Sequence, residues 1–525
     1  MEECKSTSPP VFKPYNQNQL MLLPPSLEEL IPKDHLVRVV NETIDKMQLE
    51  PLIESYKGGG TSSYHPKMLL KVLVYGYICK IYSSRQLAKA LRENVNFMWL
   101  AAGNRPDFRT INHFRSSRLK QTVEEVFASL LEHLIEIGYV KLEHYFVDGT
   151  KLRADARKYT HVWAKNTERY KASLQKKIKA LLKEIEAVNE AEQREYGDRD
   201  LEELGEEVEV SSERLEEIVQ EIDAKLSGAQ AQDKQLERVK RKISREFLPR
   251  QKKYEEQERL LGGRNSYSKT DPDATFFRYK NGELLPSYNV LIGTENQFIL
   301  NWSIHQNPND GVAFISHMEK FKDLMQRTPK HCMGDSAFGV EENYAYLGER
   351  QIGNYLKYPT FHQELSGKYK EKHPYHRDNF LYDESEDSYQ CPQGRRLRFK
   401  ESGERRSAQG YVSHFDLYEC EDCSSCEAAS LCKKGAGPRT LQRNVQLEAY
   451  RREAWENLTS PEGVKLRKQR NIDVEPVIGH IKYTMGYRRF RLRGREKVNI
   501  EMGLLSIAHN IIKMFTLATE NTTGA

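Results

Sequence analysis

The chain has 525 residues, 38% of them hydrophobic and 30% charged. That length allows about two to four domains, and its content of Tyr, Phe and Ile excludes wholesale disorder. Lysine and arginine number 81 against 76 acids, a net charge of only +5, so any affinity for a polyanion must come from where the charges sit rather than from their sum.

The most apolar run, residues 68–78, is interrupted by Lys71 and is shorter than the roughly 20 residues a bilayer needs. It reads as a buried helix. Residues 1–14 contain no apolar run of signal-peptide type, and the expectation is a cytoplasmic protein with no membrane partner. Residues 1–60 read as a polar, Pro-rich leader ending in Gly58-Gly59-Gly60, a flexible joint. Residues 61–140 read as a helical domain. Pro66 suits a helix start, and Met68, Leu69, Val72 and Leu73 recur at helical spacing. Ser83 or Ser84 suits the cap of a second helix and Asp107 that of a third over 108–119, carrying Arg109 and Arg115. Three short helices with a basic last member fit a helix-turn-helix reader of DNA. They equally fit an ordinary helical domain with a solvated basic face.

A short buried strand, Tyr145-Phe146-Val147, then ends in Asp148. Residues 165–261 change character: Leu174, Ile178, Leu181, Ile185 and Val188 follow the 4-3-4-3 spacing of a coiled-coil seam, and two further helical stripes follow. This is an inserted helical arm with no chemistry of its own, a spacer by default. Beyond it, 288–292 and 298–304 flank Gly293-Thr294-Glu295-Asn296 as a hairpin. A helix over 311–325 with Asp310 near its start comes next, then a strand ending at Asp335, a helix over 341–350 and a strand over 354–358. Residues 362–440 form a polar, cysteine-bearing insertion, and 441–516 return to helix before a tail at 517–525. The order predicts an α/β fold with a mixed sheet, its core built from 141–164 and 262–361.

Asp148 and Asp335 each follow apolar residues and precede small or flexible ones, which aims a carboxylate out of a sheet at a fixed place. Taken singly, either is read first as a turn or cap residue. The third acid lies in a different setting. Eleven basic residues crowd 465–497 against three acids, Asp473, Glu475 and Glu496. Glu475 and Lys482, seven apart, share a face on a continuous helix, while Pro476 favours a helix start at Glu475. Such a segment can set a metal ligand beside cations, Arg488, Arg489 and Arg491 among them, for phosphates. It can equally be a solvated basic helix.

Phe146-Val147-Asp148-Gly149-Thr150-Lys151-Leu152-Arg153-Ala154-Asp155-Ala156 resembles the first-Asp motif of bacterial insertion-sequence DDE transposases. Met333-Gly334-Asp335-Ser336-Ala337-Phe338 is similar to their second-Asp motif, and 473–482, with Lys482 seven residues after Glu475, to their Glu motif. Residues 268–274, the helical domain from about Tyr64, and 504–510 share the likeness, which spans most of 60–515 apart from the arm. The resemblance implies an RNase H-like catalytic domain behind a helical N-terminal transposase domain. It implies Asp148, Asp335 and Glu475 as the catalytic triad holding Mg²⁺ or Mn²⁺, with Lys482 and Arg470 as DNA-phosphate contacts. Asn471 stands where relatives often carry an Arg four residues before the Glu. The implied reaction is phosphodiester cleavage at the element's ends followed by strand transfer into target double-stranded DNA, by a two-metal mechanism and by a homodimer assembled on DNA. A nuclease of the same fold that cuts without joining and a DNA-binding protein without activity are the alternatives.

Cys420, Cys423, Cys426 and Cys432, with Cys391 upstream, have spacings suited to a structural zinc site. Five thiols exceed the four required, so the set stays open. Cys4, Cys79 and Cys332 read as packing residues. No role falls to His305 or His480.

Overall fold

The computed structural model describes residues 26–56, 63–196, 209–228, 234–367 and 369–523. Cys4, the triple glycine and the side chains of Ile185 and Val188 lie outside what is described. The helical domain includes α1 (Pro66–Ile78), α2 (Ser84–Glu93), α3 (Phe108–His113) and α4 (Leu119–Glu136). A turn of π-helix, Phe114–Arg118, joins α3 to α4, so the helix expected to stop at 119 runs on. Asp107 does cap α3, its Oδ1 accepting from Thr110 N at 2.7 Å. Part of the expected leader is folded too. Helix Leu36–Lys46 buries Val37, Val40 and Ile44 against the same core, an amphipathic stripe that satisfies helical periodicity. Cys79, expected to pack, is exposed; Cys332 is buried.

The central sheet comprises β1 (His144–Arg153), β2 (Thr275–Arg278), β3 (Leu284–Glu295), β4 (Phe298–His305), β5 (His331–Gly334) and β6 (Gly353–Leu356). β3 is antiparallel to β1 and also pairs with β2 and β4, while β5 and β6 run parallel to β1 on its other side. Helices α5 (Asp310–Met325) and α6 (Glu341–Glu349) are the crossovers around β5, and α7 (Pro461–Gly479) and α8 (Arg495–Thr523) complete the core. This mixed α/β sheet is RNase H-like, as the sequence implied. By length and composition α8 could cross a membrane over Arg495–Glu520, but 61% of its most apolar window is buried. It packs against α1, α4 and β4, as the closing core helix of this fold.

Three local expectations change. The hairpin turn is Asn296-Gln297, both at positive φ (53° and 65°). Gly293 to Glu295 stay in the strand because each is committed to the core. A Cβ at Gly293 would fall 2.0 Å from the Tyr145 ring, and Glu295 accepts four backbone N–H groups from residues 141–144 at 2.7–3.0 Å. Second, β1 does not end at Asp148 but continues to Arg153, because β3 pairs with it from Phe146 to Arg153 after its parallel partner stops at Phe146. Third, Glu475 is not at a helix start. α7 begins at Pro461, capped by the Ser460 hydroxyl, and Pro476 lies inside it.

The arm carries its own apolar core, in which Leu174, Ile178, Leu181, Leu215, Ile218 and Phe247 are buried. The insertion is a five-stranded antiparallel sheet whose longest pair, Arg396–Arg406 and Val412–Cys420, makes a long hairpin.

Candidate active site

The sheet and α7 bring Asp148 and Glu475 onto one guanidinium and set Asp335 within electrostatic reach of Asp148. Asp148 stands on β1 two residues beyond the parallel pairing, where the strand has a neighbour on one side only. Asp335 follows the last residue of β5, and its Oδ1 accepts from Ala337 N at 2.9 Å, which fixes the turn. Glu475 is exposed on α7. That helix is clamped to the β3–β4 hairpin by Asp473, whose Oδ1 accepts from the Thr294 hydroxyl (2.7 Å) and Gln297 N (3.0 Å).

Arg470, five residues before Glu475, closes the cluster. Its guanidinium lies 3.3 Å from an Asp148 oxygen and 3.3 Å from a Glu475 oxygen, and the residue is only 5% exposed. Arg470 is therefore set inside the acid cluster and not presented to a DNA backbone, where the sequence reading put it. Burial pushes the Asp148 carboxyl up to about 6, with Arg470 opposing and the Asp335 and Asp310 charges adding to the rise. Asp310, at the start of α5, is a fourth acid in the neighbourhood: a Cβ on Gly149 would come within 2.4 Å of its carboxylate. Burial raises its carboxyl, Asn289 counters by donating at 2.6 Å, and Asp335 adds to the rise. Sequence placed Asp310 near a helix start, but only the tertiary fold brings it here. Lys357, also buried, has its ammonium held below its usual range by burial and by Arg470 and Arg467, with Asp335 and Glu475 opposing.

Among the described residues, the five clustered cysteines included, no three His, Cys, Asp or Glu side chains are grouped so as to hold a metal ion; Asp148 and Glu475 share Arg470 instead. Their donor chemistry nonetheless suits a hard divalent cation, since carboxylate oxygens are its natural ligands and the cluster carries more acids than its one guanidinium offsets.

Of the expected DNA contacts, Lys482 is half-buried near Asp148; burial lowers its ammonium, Asp148 raises it and Lys280 lowers it again. Arg488, Arg491 and Arg109 are exposed. Arg489 is exposed but ion-paired to Asp155 at 2.6 Å. Arg115 is buried and donates to Tyr82 O at 2.8 Å, beneath a basic concavity that Arg109 and Arg491 also line. His305 hydrogen-bonds Ser303, and burial takes it down to about 4; His480 pairs with His509.

All five clustered cysteines line one small cavity in the insertion, about 20 Å³ in volume. Arg395 N donates to Cys391 Sγ at 3.3 Å and Arg439 N to Cys423 Sγ at 3.5 Å.

Comparison with family models gives a match to the Transposase DDE domain over residues 390–515, which include Glu475 and Arg470 but not Asp148 or Asp335. A second match, to the Transposase domain (DUF772), covers 25–117, the helical domain together with the helices expected to be leader. No curated protein and no solved structure matches the chain. Both matches are to transposase families, and together they support an insertion-sequence DDE transposase.

Proposed function

We propose that this transposase cuts DNA at the ends of its element and joins the freed 3′-hydroxyl to target DNA, with Asp148, Asp335 and Glu475 as ligands for Mg²⁺ or Mn²⁺. The observation that carries this reading is the meeting of Asp148 and Glu475, 327 positions apart in the chain, on one buried guanidinium with Asp335 alongside. Two divalent ions bound there supply activation of the attacking oxygen and stabilisation of the leaving one. Arg470 holds the Asp148 and Glu475 carboxylates together in the metal-free protein. Lys482, Arg488, Arg491 and Arg109 offer charge to DNA phosphates, whereas Arg489 and Arg115 shape the surfaces that present them. Bringing two ends together calls for a homodimer on double-stranded DNA.

The test is substitution. Asp148→Asn, Asp335→Asn and Glu475→Gln should each abolish Mg²⁺-dependent cleavage while leaving binding to terminal DNA within about two-fold; near wild-type cleavage by any one removes that residue from the site. Strand-transfer assays on two duplexes separate a transposase from a nuclease of the same fold. For the insertion we propose a structural zinc ion held by four of Cys391, Cys420, Cys423, Cys426 and Cys432, in keeping with the shared cavity and the N–H donors to sulfur. Metal analysis of reduced protein that finds no zinc refutes it.

A further inference from the structure

Beside the acids a second concavity opens, about 710 Å³ in volume. Its floor is β1 just beyond Asp148, its far wall the β2–β3 turn, and its near wall the segment after α7. Six cations line it: Lys151, Arg153, Arg278, Lys280, Lys482 and Arg488. Among the described residues none of the six forms an ion pair with a carboxylate, although exposed cations elsewhere in the fold commonly do. The one acid in the lining, Glu283, is bound to Lys158 at 2.9 Å. Like charges gathered on a concave wall repel one another unless a polyanion lies between them.

The groove also carries an aromatic. Tyr483 is 69% exposed, and the Arg488 guanidinium lies 4.7 Å from its ring centroid. A duplex has its bases stacked already and gains little from an exposed ring, whereas an unpaired base stacks on one whatever its identity. The volume, within the roughly 300–1,000 Å³ of small-ligand clefts, is on the scale of a nucleotide or two.

We infer that this groove holds an unpaired DNA strand next to the scissile phosphate, with Tyr483 and Arg488 as the platform for a splayed base. The inference rests on the catalytic reading above, since it is the acids that give the groove its place beside a cut. The strand enters between Lys280 and Lys482, and its phosphates face the β1 cations.

The test uses the full chain in EDTA, so cleavage plays no part. Binding is measured by fluorescence anisotropy on oligo(dT) carrying one 2-aminopurine and on the same sequence as a duplex. Wild-type and Asp148→Asn proteins should bind the single strand and quench the 2-aminopurine. Tyr483→Ala should lose the quenching and at least about five-fold in single-strand affinity, with duplex affinity within two-fold and Tm unchanged, as expected for an exposed side chain. Tyr483→Phe should restore both signals. Lys280→Ala should lower the salt slope of single-strand binding by about 0.7. Equal losses on single strand and duplex, no loss on either, or failure of Tyr483→Phe to restore quenching would each overturn the inference. Cleavage by the triad variants would sink the catalytic reading while leaving these binding results as they stand.

Discussion

Arg470 and Asp148 set the chemistry of the metal-free site. A buried carboxylate beside other acids is costly even with one guanidinium against it, and the Asp148 carboxyl is pushed up to about 6 as a result. In the unfolded chain it titrates near its ordinary value of about 3.9. The folded protein thus holds this proton more tightly than the unfolded chain, and ionising Asp148 destabilises the fold. The penalty is absent below about pH 4, grows between 4 and 6, and is constant above. Asp148→Asn should therefore be more stable than wild type in EDTA at pH 7–8, by about 1–3 kcal/mol, with the difference vanishing below pH 4. Thermal melts across pH measure this. A divalent cation should reverse the order, raising the Tm of wild type far more than that of the variant. A wild type that melts above Asp148→Asn in EDTA at pH 8 would mean that the Arg470 ion pair outweighs burial. The same rise predicts that divalent-cation binding releases a proton and weakens as pH falls, because the protonated acid is a poor ligand.

At the scale of elements, the motif acids were legible in the sequence because each sits in a local pattern: apolar strand then Asp, or a helix dense in cations around Glu475. What the sequence hid depends on contacts between elements. Asp473 looked like one more acid in a basic stretch, yet it joins α7 to the β3–β4 hairpin. Arg470 looked like a DNA contact because its charge is plain in sequence and its burial is not. Gly293 looked like a turn residue, since glycine signals turns, but its role is to let β3 pass the Tyr145 ring. That ring is itself held by a 2.7 Å hydrogen bond between its hydroxyl and His317 Nε2, so it cannot swing aside. Gly293→Ala should cost about 1–3 kcal/mol through overpacking, read by chemical denaturation. Asp473→Ala should cost a similar amount and lower cleavage while leaving DNA affinity unchanged, because it loosens the helix that carries Glu475. A silent Gly293→Ala would show that Tyr145 moves freely.

Across the whole molecule, the least legible part was the insertion, whose strands are polar and largely exposed, as in Arg396–Arg406. Its position matters to the site. The Glu341 carboxylate, at the start of α6, accepts from Tyr411 Oη at 3.2 Å, from Ser413 Oγ and from Asn444 Nδ2 at 2.6 Å, and the Gln409 side chain donates to Val312 O on α5. The long hairpin is thereby latched to the two helices that flank the Asp335 turn. Asn343, buried one turn into α6, donates to Phe338 O and Gly311 O, which carries that latch to the turn itself. A cut needs its ligands placed to within a fraction of an ångström, so an insertion far from Asp335 in sequence can govern it through α6. Glu341→Ala should speed proteolysis at 407–411 and lower the single-turnover cleavage rate about ten-fold, the equivalent of ~1.4 kcal/mol of transition-state positioning. Affinity for terminal DNA should stay within two-fold, because none of the proposed phosphate contacts lies on α6. Faster proteolysis with an unchanged cleavage rate would mean that the hairpin is held by the core without steering it.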